Sequence, residues 1–215
     1  MRVRKGYCVP MQTKTEIKAI IFDLGRVLVK VDLSKGVFRH VEALRRGSDV
    51  EIMERLFRDD LYRDFARGMM PFQQFYASQC RHLNLKLDYQ EFKRQWCEVL
   101  EPMPGMEQLV KELSRTYKIG LLSDIGPIHW NYASKKMSVF QYITHPVLSF
   151  QSAVLKPDKR AYELAARAVG QPLSRCLFID DREENVQGAI VAGMHALQFL
   201  SLAQLREELN GRNIL

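Results

Sequence analysis

The chain has 215 residues, of which 47% are hydrophobic and 27% charged; this balance excludes a disordered chain and suits one domain, or one domain with an insertion. No apolar run approaches the ~20 residues of a membrane-spanning helix, which excludes an integral membrane protein. The four cysteines are far apart and form no CxxC pair, so a reducing, cytoplasmic compartment is favoured over a zinc module or a disulfide framework.

The N-terminal segment carries a large share of the formal net charge of +7. Arg2, Arg4 and Lys5 lie in the first ten residues, and the rest of the chain has a balance of +4. We expect residues 1–16 to form a disordered basic arm without a secretory signal. The other basic residues alternate with acidic ones, which favours a solvated surface over nucleic-acid binding.

Short apolar runs that end at polar residues or glycine turns predict the strands of a parallel sheet. In chain order these runs are 17–22, 118–122, 146–150, 176–179 and 195–200. Helical patterns follow or separate the later strands, at 105–116, 128–137, 157–169 and 184–192. Such alternation predicts an α/β fold with a three-layer, Rossmann-like parallel sheet and right-handed crossovers.

Residues 32–102 break this alternation. They contain helical patterns at 33–44, 50–57, 71–83 and 89–100, and no convincing strand. Because the chain then returns to the sheet, we interpret 32–102 as an inserted α-helical cap domain. The core domain would comprise residues 17–31 and 103–215.

Polar side chains follow several of the predicted strands, at the sheet edge where open parallel sheets bind ligands. Asp23, Ser123 and the pair Asp180-Asp181 stand at strand ends, and Lys156 opens the helix after strand 146–150. A buried carboxylate needs a cation, and adjacent aspartates repel each other. Oxygen ligands without histidine or cysteine favour Mg²⁺ over zinc.

Carboxylates, a metal, a hydroxyl and a lysine in one site suit phosphoryl transfer. An aspartate can attack phosphorus while the metal and the lysine neutralise charge on the phosphoryl oxygens. Pro157 occupies the first position of the predicted helix, whose N-terminus attracts anions.

In this order the motifs resemble those of the haloacid dehalogenase superfamily. They are IIFDLGRVL with Asp23, IGLLSD with Ser123, LKPDKRAYELA with Lys156, and LFIDDREENVQGA with Asp180-Asp181. The resemblance covers roughly residues 17–200, and the position of the helical block resembles the C1-capped branch. The segments FDLGRVLVKVD, RGMMPFQQFY and SDIGPIHW are similar to sugar-phosphate phosphatases of the α-glucose-1-phosphatase type.

The resemblance implies Mg²⁺-dependent hydrolysis of a small phosphate monoester, such as a sugar phosphate, through an aspartyl-phosphate on Asp23. Asp23, Asp181 and the Gly25 carbonyl would ligate the metal, and Asp180 would do so directly or through water. Ser123 and Lys156 would bind the phosphoryl group, with Lys156 also counted as catalytic. The cap would exclude bulk water and select the leaving group.

Four positions depart from the family pattern or extend it. Gly25 replaces a second aspartate that acts as general acid and base, a contribution worth ~10²–10⁴-fold. Asp124 replaces an asparagine, so its carboxylate either repels phosphate or points away, in which case Asp124 would begin a helix and only its backbone N–H would bind the phosphate. His129 is a candidate for the missing acid–base group or a packed residue, and Arg26 either contacts substrate or faces outward.

In the predicted cap, Arg63, Asp64 and Arg67 resemble a substrate-specificity segment, with solvated helix charges as the alternative. Aromatic residues there predict the cap core; they are Phe65, Phe72, Phe75, Tyr76 and Trp96. Three other functions stay open: a 2-haloacid dehalogenase that needs no Mg²⁺, a catalytically weak binding protein, and a nucleic-acid binder. We expect a small phosphorylated metabolite as partner, no nucleic acid or membrane, and a monomer or homodimer.

Overall fold

A computed structural model describes residues 16–40 and 59–215 and confirms the predicted parallel α/β sheet. Five strands pair in parallel in the order β5-β4-β1-β6-β7. A separate antiparallel ribbon joins β2 to β3. The strands are β1 Ala19–Phe22, β2 Val29–Val31, β3 Leu100–Pro102, β4 Lys118–Ser123, β5 His145–Leu148, β6 Cys176–Asp180 and β7 His195–Gln198.

The described residues form nine α-helices and three short 3-10 helices. The α-helices are α1 Asp60–Ala66, α2 Phe72–His82, α3 Tyr89–Cys97, α4 Met106–Leu113, α5 Pro127–Lys136, α6 Ser149–Ser152, α7 Lys159–Ala168, α8 Glu183–Ala192 and α9 Leu202–Gly211. The 3-10 helices are Gly36–His40, Ser138–Tyr142 and Leu173–Arg175. None of these helices is long and apolar enough to cross a membrane.

The central strand β1 is buried on both faces, which accounts for its continuous apolar run. Ile20 and Phe22 pack into a large cluster that includes residues of α4 and α9. Ala19 and Ile21 face the other way, into a smaller cluster built by α7 and α8. Side chains alternate along a strand, so this two-sided burial creates the three layers.

Several predicted boundaries are corrected by local contacts. The helix predicted at 157–169 begins at Lys159, because the Asp158 carboxylate caps it by accepting from the Arg160 N–H. Pro157 is therefore not the first helical residue. The strand predicted at 146–150 stops at Leu148, where α6 begins.

The expectation that 32–102 contains no strand is also wrong. The helix predicted at 89–100 ends at Cys97, and β3 then pairs Leu100 with Val31 and Pro102 with Val29. This ribbon joins the two ends of the helical block. The predicted helix 50–57, most of the predicted arm and the second part of the predicted helix 33–44 lie outside the described residues.

Helices α1 to α3 pack together through aromatic rings. Phe65 and Phe75 stack with their ring centroids 4.2 Å apart, and Phe92 and Trp96 stack at 5.6 Å. The predicted aromatic set is thus largely buried in the helical block, with Tyr76 only partly buried. Asp59 and Asp88 cap α1 and α3 through their carboxylates.

Candidate active site

Most of the polar residues at the strand ends line one cavity of about 470 Å³. Asp180 is fully buried and does not line it, but its carboxylate bonds to Lys156, which does. Asp23 follows β1, Ser123 ends β4, Asp180 ends β6, and Lys156 stands two residues before the cap of α7. The carboxyl ends of parallel strands share one edge of a sheet, so residues far apart in sequence meet there. Helix α1 and the β2–β3 ribbon also contribute residues to the cavity lining.

Lys156 joins two of the aspartates. Its Nζ lies 2.5 Å from Oδ1 of Asp23, 2.8 Å from Oδ2 of Asp180 and 3.2 Å from the Leu122 carbonyl oxygen. Only 2% of its side chain is exposed. Burial by itself lowers the pKa of Lys156, but the carboxylates of Asp180, Asp23 and Asp124 outweigh it and raise that pKa. The ammonium is therefore a permanent charge of the site.

Asp23, Asp180 and Asp181 bring carboxylate oxygens within 4.8 Å of one another. Burial raises the pKa of Asp23, and so do the neighbouring Asp180 and Asp181 carboxylates, while Lys156 opposes the shift. Burial and Asp180 likewise raise the pKa of Asp181. Lys156 offsets only part of this negative charge, so the cluster still favours a cation.

The donor set fits a hard divalent cation such as Mg²⁺. Its side-chain donors are all carboxylate oxygens, the ligands that Mg²⁺ prefers. Asn185 donates from Nδ2 to both oxygens of Asp180, at 3.1 and 3.0 Å. Its own buried Oδ1 has no hydrogen-bond partner among the residues that the structure describes. An oxygen without a donor inside a polar site is expected where a cation or its water completes the interactions.

Asp124 is turned toward the loop that holds Lys156. Both of its carboxylate oxygens lie 3.2 Å from the backbone nitrogen of Lys156, which donates to them. The sequence left open whether this carboxylate faces the phosphate or points away. The hydrogen bonds give it a backbone partner, although Asp124 still lines the cavity. Burial raises its pKa, and Lys156 opposes that shift.

His129 lies in the cavity wall with one ring nitrogen already occupied. Its Nε2 is 2.7 Å from the Trp96 carbonyl oxygen, and the two rings stack 5.0 Å apart at 3°. A carbonyl only accepts, so Nε2 carries the proton of the neutral ring. Burial lowers the pKa of His129 to about 4. A ring with this pKa is mostly unprotonated at neutral pH, which makes it a poor proton donor to a leaving group.

Gly25 and Arg26 form the turn between β1 and the ribbon. Arg26 has a positive φ of 61°, and its Nη1 lies 3.8 Å from Oδ2 of Asp181. Its side chain lines the cavity and is one-third exposed, so it does not simply face outward. The Arg26 N–H donates to the Val29 carbonyl at 2.7 Å and fixes the turn.

Some cavity residues had no signal in the sequence. Tyr62 lies in the wall and is buried, and Val31 and Leu100 contribute apolar surface from the ribbon. Ser149 ties the wall to the strand ends: its Oγ donates to the Ala66 carbonyl at 2.6 Å and accepts from the Ile125 N–H at 2.9 Å. These contacts join residues far apart in the chain, so no local pattern predicts them.

Residues 17–193 match the family described as haloacid dehalogenase-like hydrolase. The match spans well over half of the chain, so the protein belongs to this family and is a hydrolase. The chain is 30% identical over 200 residues to the phosphatase MT3486 of Mycobacterium tuberculosis, which covers 84% of this chain and 86% of that protein.

A second relative has a different chemistry. The chain is 28% identical over 185 residues to the (S)-2-haloacid dehalogenase of Pseudomonas sp. strain YL, covering 80% of this chain and 78% of that enzyme.

Among solved structures, the HAD family enzyme bt-2542 of Bacteroides thetaiotaomicron, in complex with magnesium and inorganic phosphate, matches with a TM-score of 0.72. At 22% identity, over 88% of this chain and 98% of that one, the likeness shows the fold alone.

Proposed function

We propose that this hydrolase cleaves a small phosphate monoester, such as a sugar phosphate, in a Mg²⁺-dependent reaction at Asp23. One observation carries the proposal: Lys156 holds Asp23 and Asp180 together beside a third carboxylate, Asp181, at the strand ends. The relative in Mycobacterium tuberculosis is named a phosphatase, and the related Bacteroides structure contains magnesium and phosphate; both support this choice.

Asp23 would act as the nucleophile. One of its carboxylate oxygens forms a bond to phosphorus while the bond between phosphorus and the leaving-group oxygen breaks, which gives an aspartyl-phosphate. Water then attacks the phosphorus, the acyl phosphate bond breaks, and Asp23 returns as a carboxylate with release of inorganic phosphate. Lys156 and Ser123 would hold the phosphoryl oxygens during both steps.

Asp23, Asp180, Asp181 and the Gly25 carbonyl are the groups that would hold Mg²⁺. When bound, the ion neutralises charge on the transferring phosphoryl group. Lys156 supplies a second, permanent positive charge that does not depend on the metal. Helix α1 and the ribbon would act as a cap that limits the access of water.

The leaving group must take up a proton without help from position 25, because Gly25 has no side chain. Leaving groups that depart as stable anions, such as p-nitrophenolate, need little help. Sugar alkoxides need more, and general acid catalysis is worth ~10²–10⁴-fold. We therefore expect hydrolysis of p-nitrophenyl phosphate to exceed that of an alkyl phosphate by more than it does in an enzyme with the second aspartate.

A 2-haloacid dehalogenase is the second candidate. It is favoured by the relative in Pseudomonas and by Gly25, since the resemblance implies that dehalogenases also lack the second aspartate. It would use the same nucleophile, with the Asp23 oxygen attacking carbon and halide leaving. The cluster of three carboxylates weighs against it, because a reaction without a metal leaves their mutual repulsion only partly offset.

The test is release of phosphate from p-nitrophenyl phosphate and a panel of sugar phosphates, and of halide from a 2-chloro acid. Each assay is run with Mg²⁺, with EDTA, and with the Asp23→Asn variant. Phosphate release that requires both Mg²⁺ and Asp23 supports the proposal. Halide release in the presence of EDTA would replace it with the dehalogenase, and folded protein without turnover on any substrate would favour a binding protein.

A further inference from the structure

One nitrogen of the buried His129 ring is unpaired inside the cavity. Nε2 bonds to the Trp96 carbonyl oxygen at 2.7 Å, whereas Nδ1 makes no hydrogen bond with the residues that the structure describes. Only 4% of His129 is exposed, and the residue lines the same cavity as Asp23, Ser123 and Lys156. Nδ1 is not completely buried, so a molecule in the cavity can reach it. A polar atom in such a place is expected to have a partner when the site is filled.

The bond to Trp96 determines what the unpaired nitrogen can do. The carbonyl only accepts, so the proton of the neutral ring is on Nε2, and Nδ1 presents a lone pair. Burial lowers the pKa of His129 to about 4, so the ring does not bind a second proton at neutral pH. The stacking on Trp96, with the ring planes 3° apart, holds Nδ1 in one orientation. His129 therefore offers the cavity a fixed, neutral hydrogen-bond acceptor.

A neutral acceptor does not suit the phosphoryl end of the substrate. A phosphate monoester is largely a dianion at neutral pH, and its phosphoryl oxygens only accept hydrogen bonds. The ammonium of Lys156 and the hydroxyl of Ser123 are the donors that match them. The group that complements Nδ1 must itself donate a hydrogen bond. In a sugar phosphate, such donors are the hydroxyl groups of the leaving group.

The cavity has room for a leaving group and gives a hydroxyl a reason to seek Nδ1. Its volume of about 470 Å³ is in the range of small-molecule sites. Val99, Leu100 and Ile125 line it with buried apolar side chains, which cannot accept a hydrogen bond. A hydroxyl that leaves water without finding an acceptor is penalised, and a hydrogen bond made away from water is stronger. An acceptor in this cavity therefore selects for a hydroxyl group.

We infer that the leaving group of the preferred substrate carries a hydroxyl group that donates a hydrogen bond to Nδ1 of His129. This inference rests on the proposed phosphatase function. His129 is then a specificity-determining residue that binds the leaving group as a neutral acceptor. The role differs from that of an acid–base group, because the ring neither gives nor takes a proton during the reaction.

The experiment measures kcat/KM for two pairs of phosphate esters matched in chain length. Glycerol phosphate is compared with propyl phosphate, and ribitol phosphate with pentyl phosphate; the alkyl member of each pair has no hydroxyl group. The variants are His129→Gln, His129→Asn and the control His195→Gln. Glutamine places its amide at the Nε2 end of the ring, where it can bond to the Trp96 carbonyl, but leaves no acceptor at Nδ1. Asparagine places its amide at the Nδ1 end and is too short to reach that carbonyl.

His129→Gln should lower kcat/KM about three- to tenfold more for the polyol ester than for the alkyl ester of at least one pair, the range for one neutral hydrogen bond. His129→Asn should retain part of this selectivity, yet it should unfold at a lower urea concentration than His129→Gln because the bond to Trp96 is lost. His195 is exposed and does not line the cavity, so His195→Gln should leave the selectivity unchanged.

Two results would overturn the inference. The first is an equal loss on both members of each pair in His129→Gln, which would mean that the residue only supports the fold or orients the attacking water. The second is a selectivity that falls with stability, so that His129→Asn is the less selective variant. In both cases Asp23-dependent hydrolysis of p-nitrophenyl phosphate would leave the phosphatase proposal standing. If no phosphate ester is hydrolysed in an Asp23-dependent way, the proposed function fails and the inference fails with it.

Discussion

Acid should destabilise this protein in part through one buried histidine, His129. Its imidazole is 4% exposed, stacks on Trp96 and bonds to the Trp96 carbonyl. Burial lowers the pKa of His129 from 6.5 to about 4. At pH values below the pKa of His129 in the unfolded chain, the unfolded chain therefore binds a proton on this residue that the folded chain does not bind. The stability from this group is fully present above 6.5 and is lost as the pH falls toward 4.

The magnitude follows from the gap between the two pKa values. Each unit corresponds to about 1.36 kcal/mol, so the full effect of His129 is about 3 kcal/mol. At about pH 5 the solution is roughly 1.5 units below the unfolded pKa, and about 2 kcal/mol should be lost. This is a large share of the 5–15 kcal/mol that typically stabilises a domain.

The assay is urea unfolding at about pH 7.5 and about pH 5 for the wild type, His129→Phe and the control His195→Asn. Phenylalanine keeps a ring against Trp96 but does not titrate, so this variant should lose about 2 kcal/mol less on acidification than the wild type. The exposed His195 should make no such difference. An equal loss in the wild type and His129→Phe would refute the view that His129 is buried in its neutral form.

Three substitutions test other parts of the structure. Lys156→Met leaves the two carboxylates that it joins without their counter-charge, and should lower kcat by about 10²–10³-fold and the free energy of unfolding by about 3–5 kcal/mol. Gly25→Asp should be accommodated, since among the described residues a Cβ there would meet only Val31 Cγ2, at 3.8 Å. It should raise turnover of alkyl phosphates up to about 10²-fold, with little effect on p-nitrophenyl phosphate. Ser149→Ala removes the hydroxyl that bonds to Ala66 and should cost about 1–3 kcal/mol of stability in urea unfolding.

Matched controls separate these effects from general damage. Lys159→Met alters an exposed lysine of α7 and should change neither turnover nor stability measurably. Ser152→Ala removes a nearby, partly buried hydroxyl and should cost less than Ser149→Ala. If Gly25→Asp raises the turnover of both substrate types equally, the new carboxylate is not acting as a proton donor to the leaving group.

The sheet and the residues at its edge could be predicted from the sequence because their signals are local. The apolar run of β1 ends at Asp23 and that of β6 at Asp180, and in a parallel sheet such ends meet at one edge. The ordered motifs indicated the family for the same reason, because each is a short continuous segment: three lie at strand ends, and the fourth, with Lys156, lies in the loop before α7. The sequence alone therefore points to Asp23, Lys156 and Asp180, without the contacts between them.

The contacts around these residues could not be predicted from the sequence and became clear only from the tertiary structure. β3 is a strand because Leu100 pairs with Val31, almost seventy positions earlier, and a short segment with a helical pattern carries no sign of that partner. Three hydrogen bonds join separate parts of the chain in the same way. They run from the Lys156 N–H to Asp124, between the His129 ring and the Trp96 carbonyl, and from the Ser149 hydroxyl to the Ala66 carbonyl. Hydrophobic periodicity in the sequence predicts which face of a helix or strand is buried. These contacts depend instead on which helices and strands pack together. The sequence by itself determined the sheet and the polar residues at its edge, and only the packing of α1 and the ribbon near that edge decided what else lines the cavity.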